Sequence, residues 1–179
     1  DYDDLDRLEF VDFPDTTPDI THTYDANGNV TRTQRGATDW TYTYHTLDLP
    51  RIERLQIDGR TYQSVHGYNA AGHETSVTFP DGKKTAFHPD AFGRPKRVID
   101  ANSPQKTRWA DNIAYFANGR ISNVSYHNGH ALSQIQNARQ LVSGIDVRSL
   151  GAGAQVAVDL TYDYDAGARI TAIDDNLNA

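Results

Sequence analysis

The 179-residue chain contains no cysteine and no methionine. The first absence excludes intramolecular disulfides and thiolate-held metals, and it fits an unstapled exported protein as well as a cytosolic one. No apolar run approaches the ~20 residues that a membrane-crossing helix needs. The acidic start Asp1-Tyr2-Asp3-Asp4 is the reverse of a basic export-signal start, so a signal, if the protein uses one, is expected outside this stretch. Basic residues number 17 against 24 acidic ones, for a net charge of -7, and they are scattered along the chain. Nucleic acid is therefore not expected as a partner. Hydrophobic residues make up only 37%, which is thin for a closed globule and implies a core that is narrow or shared.

Tyrosine, by contrast, is plentiful at 10 residues, and burial by rings and β-branched residues favours sheet over helix. An aromatic residue, then Asp, Asn or His, two variable residues and Gly or Asp recur along the chain. The element reads Tyr2-Asp3-Asp4-Leu5-Asp6-Arg7, then Tyr24-Asp25-Ala26-Asn27-Gly28-Asn29, then Tyr68-Asn69-Ala70-Ala71-Gly72-His73. Tyr44-His45-Thr46-Leu47-Asp48 keeps the aromatic and replaces Gly with Asp. A looser copy with one inserted residue runs from Phe87 to Gly93, and a shortened one from Phe116 to Gly119. Tyr164-Asp165-Ala166-Gly167 reads as a copy with one residue deleted before its Gly. From Tyr2 through Tyr24, Tyr44 and Tyr68 to Phe87 the intervals are 22, 20, 24 and 19 residues. That is the length of about two strands with their turns.

The element has the chemistry of a hairpin. A strand ends on the aromatic, the Asp or Asn side chain accepts from backbone N–H groups two residues on, and Gly supplies positive φ. Asn27-Gly28, Asn118-Gly119, Asn128-Gly129 and Pro80-Asp81-Gly82 are turn signals of the same kind. Between turns the period is two: Ile20, His22 and Tyr24 share a face, as do Trp40, Tyr42 and Tyr44, and Tyr62, Ser64, His66 and Tyr68. Residues 131–142 carry apolar positions at helical intervals as well, but their place between repeats favours strands. The expected organisation is hairpin repeats over 1–135, an irregular or inserted segment over 136–155 marked by Gly144, Gly151 and Gly153, and a final repeat over 156–179.

These elements resemble the YD or Rhs repeats, whose unit is similar to Tyr-Asp-x-x-Gly-Arg-Leu/Ile. The resemblance covers roughly residues 1–130 and 160–175. It implies an all-β fold of antiparallel hairpins forming an extended, curved or spiralling sheet. It also implies a role in encapsulation or surface contact, as in bacterial polymorphic toxins, toxin-encasing subunits, wall-associated proteins and teneurins. The expected protein is a secreted or cell-surface repeat segment contributing to a shell that encloses or presents a toxin or effector. Its expected partners are further repeats of the same polypeptide or that cargo. The Pro-rich, Asp-containing closing segment of the self-cleaving toxin members has no counterpart here. That leaves two expectations: an excised shell fragment, or a small open or two-layered sheet acting as a carbohydrate- or protein-binding adhesion module.

Candidate chemistry is sparse. Asp25 to Asn29 has the look of a calcium loop but lacks the downstream carboxylate that such a site needs. His127 and His130 flank a turn and would need a third ligand such as Asp111 to hold zinc. Asp81 with Asp90, and Asp174 with Asp175, are pairs that a glycosidase would have to converge across a cleft; nothing in their spacing requires this. No catalytic residue, metal or cofactor is assigned. The expected binding surface is the aromatic row Trp40, Tyr42 and Tyr44, provided that it faces outward; the polar Thr-rich opposite face favours the inward orientation. The repeat positions expected to carry the fold are Tyr2, Asp3, Tyr24, Asp25, Gly28, Tyr44, Tyr68, Gly72, Phe87, Gly93, Phe116, Gly119, Tyr164, Asp165 and Gly167.

Overall fold

Each stretch of alternating residues between two turn signals forms a strand, and within each unit successive strands pair antiparallel. In the computed structural model, which describes residues 1–105 and 107–178, the strand order is the chain order across fifteen strands. The all-β antiparallel expectation holds, and among the described residues there is no helix. The chain divides into two units, Asp1–Thr85 and Ala86–Ala179.

The first unit contains β1 (Phe10–Val11), β2 (Ile20–Tyr24), β3 (Val30–Arg35), β4 (Thr38–Tyr44), β5 (Pro50–Ile57), β6 (Arg60–Tyr68) and β7 (Glu74–Thr78). β8 (Lys84–Pro89) spans the boundary. The second unit contains β9 (Pro95–Asp100), β10 (Arg108–Tyr115), β11 (Ile121–Tyr126), β12 (His130–Gln136), β13 (Val142–Ser149), β14 (Val156–Tyr164) and β15 (Ile170–Asp175).

Two kinds of turn alternate from β2 to β7, and the Phe79–Lys83 turn that follows closes with the same backbone bonds as the Tyr-Asp turns. The Tyr-Asp turns carry a bulge at the strand end. Thr23 pairs with Arg32 but Tyr24 with Val30, and Thr43 pairs with Ile52 but Tyr44 with Pro50. Gly67 and Tyr68 repeat the shift against Ser76 and Glu74, as do Asp163 and Tyr164 against Ala172 and Ile170. The extra residue is Thr31, Arg51, Thr75 or Thr171, and the bulge twists the strand locally and re-aims the ring beside it. The opposite turns, such as Asp58-Gly59, are plain and tight.

The core is thin. Among the described residues only Val77, Ile113 and Val124 are buried apolar side chains, and the accessible surface is 11748 Å². A compact monomer of this mass exposes roughly 8,700 Å². Much of the apolar surface is therefore only half-covered.

The expected interruption over 136–155 is smaller than its glycines suggest. Asn137–Gln140 make a turn and Val142–Ser149 form β13, leaving 150–155 as the longer connection within the segment. Gly144 sits within β13 against Ile135 and Leu160, so it serves close strand packing and not a loop. The last residue of the expected final repeat, 179, lies outside the described residues.

Candidate functional site

The Tyr-Asp turns share one pattern of backbone hydrogen bonds. The Asp25 N–H donates to the Asn29 carbonyl and the Gly28 N–H to the Asp25 carbonyl, at 2.9 and 3.1 Å. The Asp25 carboxylate accepts from the N–H groups of Asn27 and Asn29 and from the Asn29 side-chain amide. Asp3, Asp90 and Asp165 repeat this arrangement, with Arg7, Arg94 and Arg169 replacing the amide. The Arg7 side chain holds the Asp3 carboxyl below the usual carboxylate range, and the Arg94 side chain does the same for Asp90. For Asp25 the Asn29 side chain is the main cause; for Asp165 it is the Arg169 backbone N–H, then its side chain. Both carboxylate oxygens of Asp25 are used locally, so the calcium-loop appearance is that of a turn.

This backbone pattern corrects three repeat positions. Asp90 donates to the Arg94 carbonyl and Gly93 to the Asp90 carbonyl, so the strand-ending position is Pro89, not Phe87, and no residue is inserted. Phe116 makes the Asp-position bonds to Arg120 and Gly119; the aromatic position is Tyr115 and nothing is missing. Ala168, not Gly167, donates to the Asp165 carbonyl and adopts a φ of 62°. Gly167 lies outside the positive-φ set. One further copy lies in the segment expected to be irregular. Gln136-Asn137-Ala138-Arg139-Gln140 makes the same bonds, with Gln140 at a φ of 62°. Its signals were Asn137 in the Asp position and a 21-residue spacing from Tyr115.

The strand-ending tyrosines link one repeat to the previous one. The hydroxyl of Tyr24 donates to the Leu8 carbonyl at 2.6 Å, Tyr44 to Val30 at 2.7 Å and Tyr68 to Pro50 at 2.8 Å. In the second unit Tyr115 donates to Pro95 at 2.6 Å and Tyr164 to Val142 at 2.7 Å. Val30, Pro50, Pro95 and Val142 are each the first residue of the strand following the preceding Tyr-Asp turn, and Leu8 holds the bridge to Tyr2 that closes the first such turn. The arginines reinforce these rungs. The Arg7 guanidinium lies 4.5 Å from the Tyr24 ring centre and donates to the Asp25 carbonyl, and Arg94 lies 4.6 Å from the Tyr115 ring centre. Arg139 donates to the carbonyls of Asp165 and Ala166.

The aromatic row divides by role. Tyr44 belongs to the ladder. Trp40 and Tyr42 line an open groove of 360 Å³ with Leu55, Tyr62, Glu53 and Ser64. Strand pairing sets Trp40 opposite Leu55, and Leu55 opposite Tyr62, with Tyr42, Glu53 and Ser64 in the adjacent row. Burial, and then the Glu53 charge, push the Tyr42 phenol up. On the same strand as Tyr62 and Ser64, His66 Nδ1 lies 2.7 Å from Glu74 Oε1, while its Nε2 is 3.6 Å from Glu53 Oε2 and has no hydrogen-bond partner.

The remaining candidates do not converge. Asp111 is engaged by Arg97 and Arg108 at 2.8 and 2.6 Å, so it is not free to join His127 and His130. Among the described residues no three His, Asp or Glu side chains form a metal-holding group. Asp81 pairs with Lys83 at its own turn, whereas Asp90 closes the next one on Arg94. Asp175 likewise accepts from Leu177 and Asn178 in its own turn.

Comparison with known proteins agrees with this geometry. The RHS repeat family model matches residues 68–105. No curated protein sequence matches the chain. Among solved structures, a TcdB2-TccC3-Cdc42 complex superposes with a TM-score of 0.78 at 16% identity, covering 95% of this chain and 10% of that one. TcdB2-TccC3 without its hypervariable C-terminal region gives a TM-score of 0.79 at 16% identity, with the same coverages. A Photorhabdus luminescens Tc holotoxin pore gives 0.77, also at 16% identity, 95% and 10%. The likeness is one of fold, and the chain spans about a tenth of the length of the chains it matches.

Proposed function

We propose that this chain, a segment of YD/Rhs repeats, is one stretch of the wall of a secreted or surface-exposed shell that encloses or presents a toxin or effector. The observation that carries the reading is the ladder: five tyrosine hydroxyls each tie a repeat to the one before it, which is the chemistry of a sheet assembled by repetition. The thin core supports it, because a wall segment shares its burial with neighbouring repeats. The fold likeness to TcdB2-TccC3 assemblies supports it also. In this role the chain performs no chemistry, and its partners are other repeats and the enclosed polypeptide. Cryo-electron microscopy of the full-length polypeptide tests the proposal. It is expected to show residues 1–179 as strands in the wall of a closed cavity; finding them as a free lobe with no cavity behind them would refute it.

The groove favours a second reading, an adhesion module that binds glycan. Trp40, Tyr42 and Tyr62 offer ring faces, and Glu53 and Ser64 offer polar groups beside them, a combination suited to a pyranose ring. A glycan array probed with the chain and with Trp40→Ala separates the readings. Binding lost on substitution supports the module, and an array without signal removes it.

A further inference from the structure

The groove across β4, β5 and β6 holds one carboxylate that is not engaged locally. Glu53 stands in the row of Tyr42 and Ser64, and its side chain is 46% exposed. Among the described residues its carboxylate makes no hydrogen bond; His66 Nε2 lies 3.6 Å from Oε2, beyond hydrogen-bond reach. Nearby carboxylates are held. Glu74 has His66 Nδ1 at 2.7 Å, and Asp39 has Arg32 at 2.8 Å. Arg54 also borders the groove, but its Nε and Nη2 donate to Gln63 Oε1 at 3.3 and 2.9 Å. Both belong to the row that starts at Thr41, which alternation puts on the other face of the sheet. Beside Glu53 the groove is faced with rings. Trp40 and Tyr62 flank Leu55 in the adjacent row, two strand spacings or about 10 Å apart, and Tyr62 is 40% exposed.

We infer that the groove takes an amino sugar, with the pyranose against the Trp40 and Tyr62 rings and its ammonium on the Glu53 carboxylate. The chemistry selects the class. Ring faces alone accept any pyranose. A neutral sugar laid over Glu53, however, desolvates a carboxylate and gives it no counter-charge. An ammonium supplies both the charge and N–H donors, and the neighbouring ring faces attract the same cation. N-acetylation removes the charge and keeps the sugar ring, so it should remove the preference. A lysine side chain carries the ammonium but has no ring to lie on Trp40 and Tyr62. The inference rests on the glycan reading and adds to it which sugar is bound.

The test titrates the full chain calorimetrically with three tetrasaccharides, β-1,4-linked glucosamine, its N-acetylated counterpart and the corresponding glucose tetramer, and with tetralysine. The pH is one at which the sugar amine carries its proton, and salt at about 0.15 M screens charges beyond about 8 Å. The glucosamine tetramer is expected to bind about tenfold tighter than the other two sugars, the worth of one charge-assisted hydrogen bond. Glu53→Gln, which keeps the side-chain shape, should bring the three level, and Trp40→Ala should weaken them all. Equal binding of the three sugars that is lost on Trp40→Ala would keep the glycan reading and overturn this inference. A preference that survives Glu53→Gln would be attraction to the net charge of the chain and overturns it as well, as does tetralysine bound as tightly as the amino sugar. No binding of any sugar ends both readings.

Discussion

The two units use the same hairpin and differ in how regularly they are laced. In Asp1–Thr85 the rungs from Tyr24, Tyr44 and Tyr68 follow one another without a gap. In Ala86–Ala179 they come at every second repeat, from Tyr115 and Tyr164, because Pro89 and Gln136 occupy the intervening positions. Gln136 illustrates the cost of the exchange: its Oε1 accepts from Asn118, but its Nε2 is buried with no partner. The second unit also has longer connections and register shifts away from the Tyr-Asp turns, between Arg108 and Ala110, and between Val147 and Arg148. The hairpin turn and the rung are thus separable. The turn survives loss of the aromatic; the tie to the neighbouring repeat does not.

Substitutions can break or sharpen this contrast. The largest effect is expected from Gly72→Val in the laced unit. Its φ is +80°, and a Cβ there would meet Leu49 and Leu47 at 3.3 and 3.4 Å, so a loss of about 2–3 kcal/mol is expected in urea unfolding. Gly28→Val has the same strain but open space around it and should cost less, about 1–2 kcal/mol. Equal melting of both variants and the parent would show that the turns are misplaced. Next come the rungs. Tyr44→Phe should lower stability by about 1 kcal/mol, and Gln136→Tyr should raise it by a similar amount by supplying the missing donor to Ile121. A Gln136→Tyr variant no more stable than the parent would mean that the rungs are incidental. Smaller gains, about 0.5–1 kcal/mol each, are expected from Gln140→Gly and Ala168→Gly, which relieve left-handed strain at a φ of 62°.

Acid should weaken both units. Asp3 and Asp25 in the first, and Asp90 and Asp165 in the second, have pKa values lowered by their turn partners. A carboxyl whose folded pKa is depressed adds stability that is complete above its unfolded value, about 3.9, and is lost as pH falls through the folded value. Thermal melts at successive pH values should therefore be flat near neutrality and decline below about pH 4. Melts that are flat down to pH 2 would show that the turn carboxylates do not hold the hairpins.

Much of this architecture was legible from residue order. The Asp-x-x-Gly spacing names a turn because only a side-chain acceptor two residues before its donor, and a residue free to take positive φ, can close it. Alternation then assigns the strands between turns. Legibility failed where a residue without the usual signature held the same backbone position. Asp6 and Asp48 are anticipated in place of Gly, but Gln140 and Ala168 adopt the same positive φ without either signature, and Pro89 stands where a ring was expected. The nearest aromatics, Phe87 and Phe116, and the nearest glycine, Gly167, therefore lie one or two residues off the positions that the backbone bonds define.

Local sequence determined the strands, their antiparallel order and the turn chemistry, since each depends on residues within a few positions of one another. Only the tertiary structure decided what the tyrosines do. Tyr44 and Val30 are joined across a strand and a turn, and the bulge that aims the ring cannot be read from alternation. It also decided that Trp40 and Tyr42 line a groove while Tyr44, in the same row, is a rung. Residues on one strand share a face by periodicity, but what they touch is set by the register of the strands beside them.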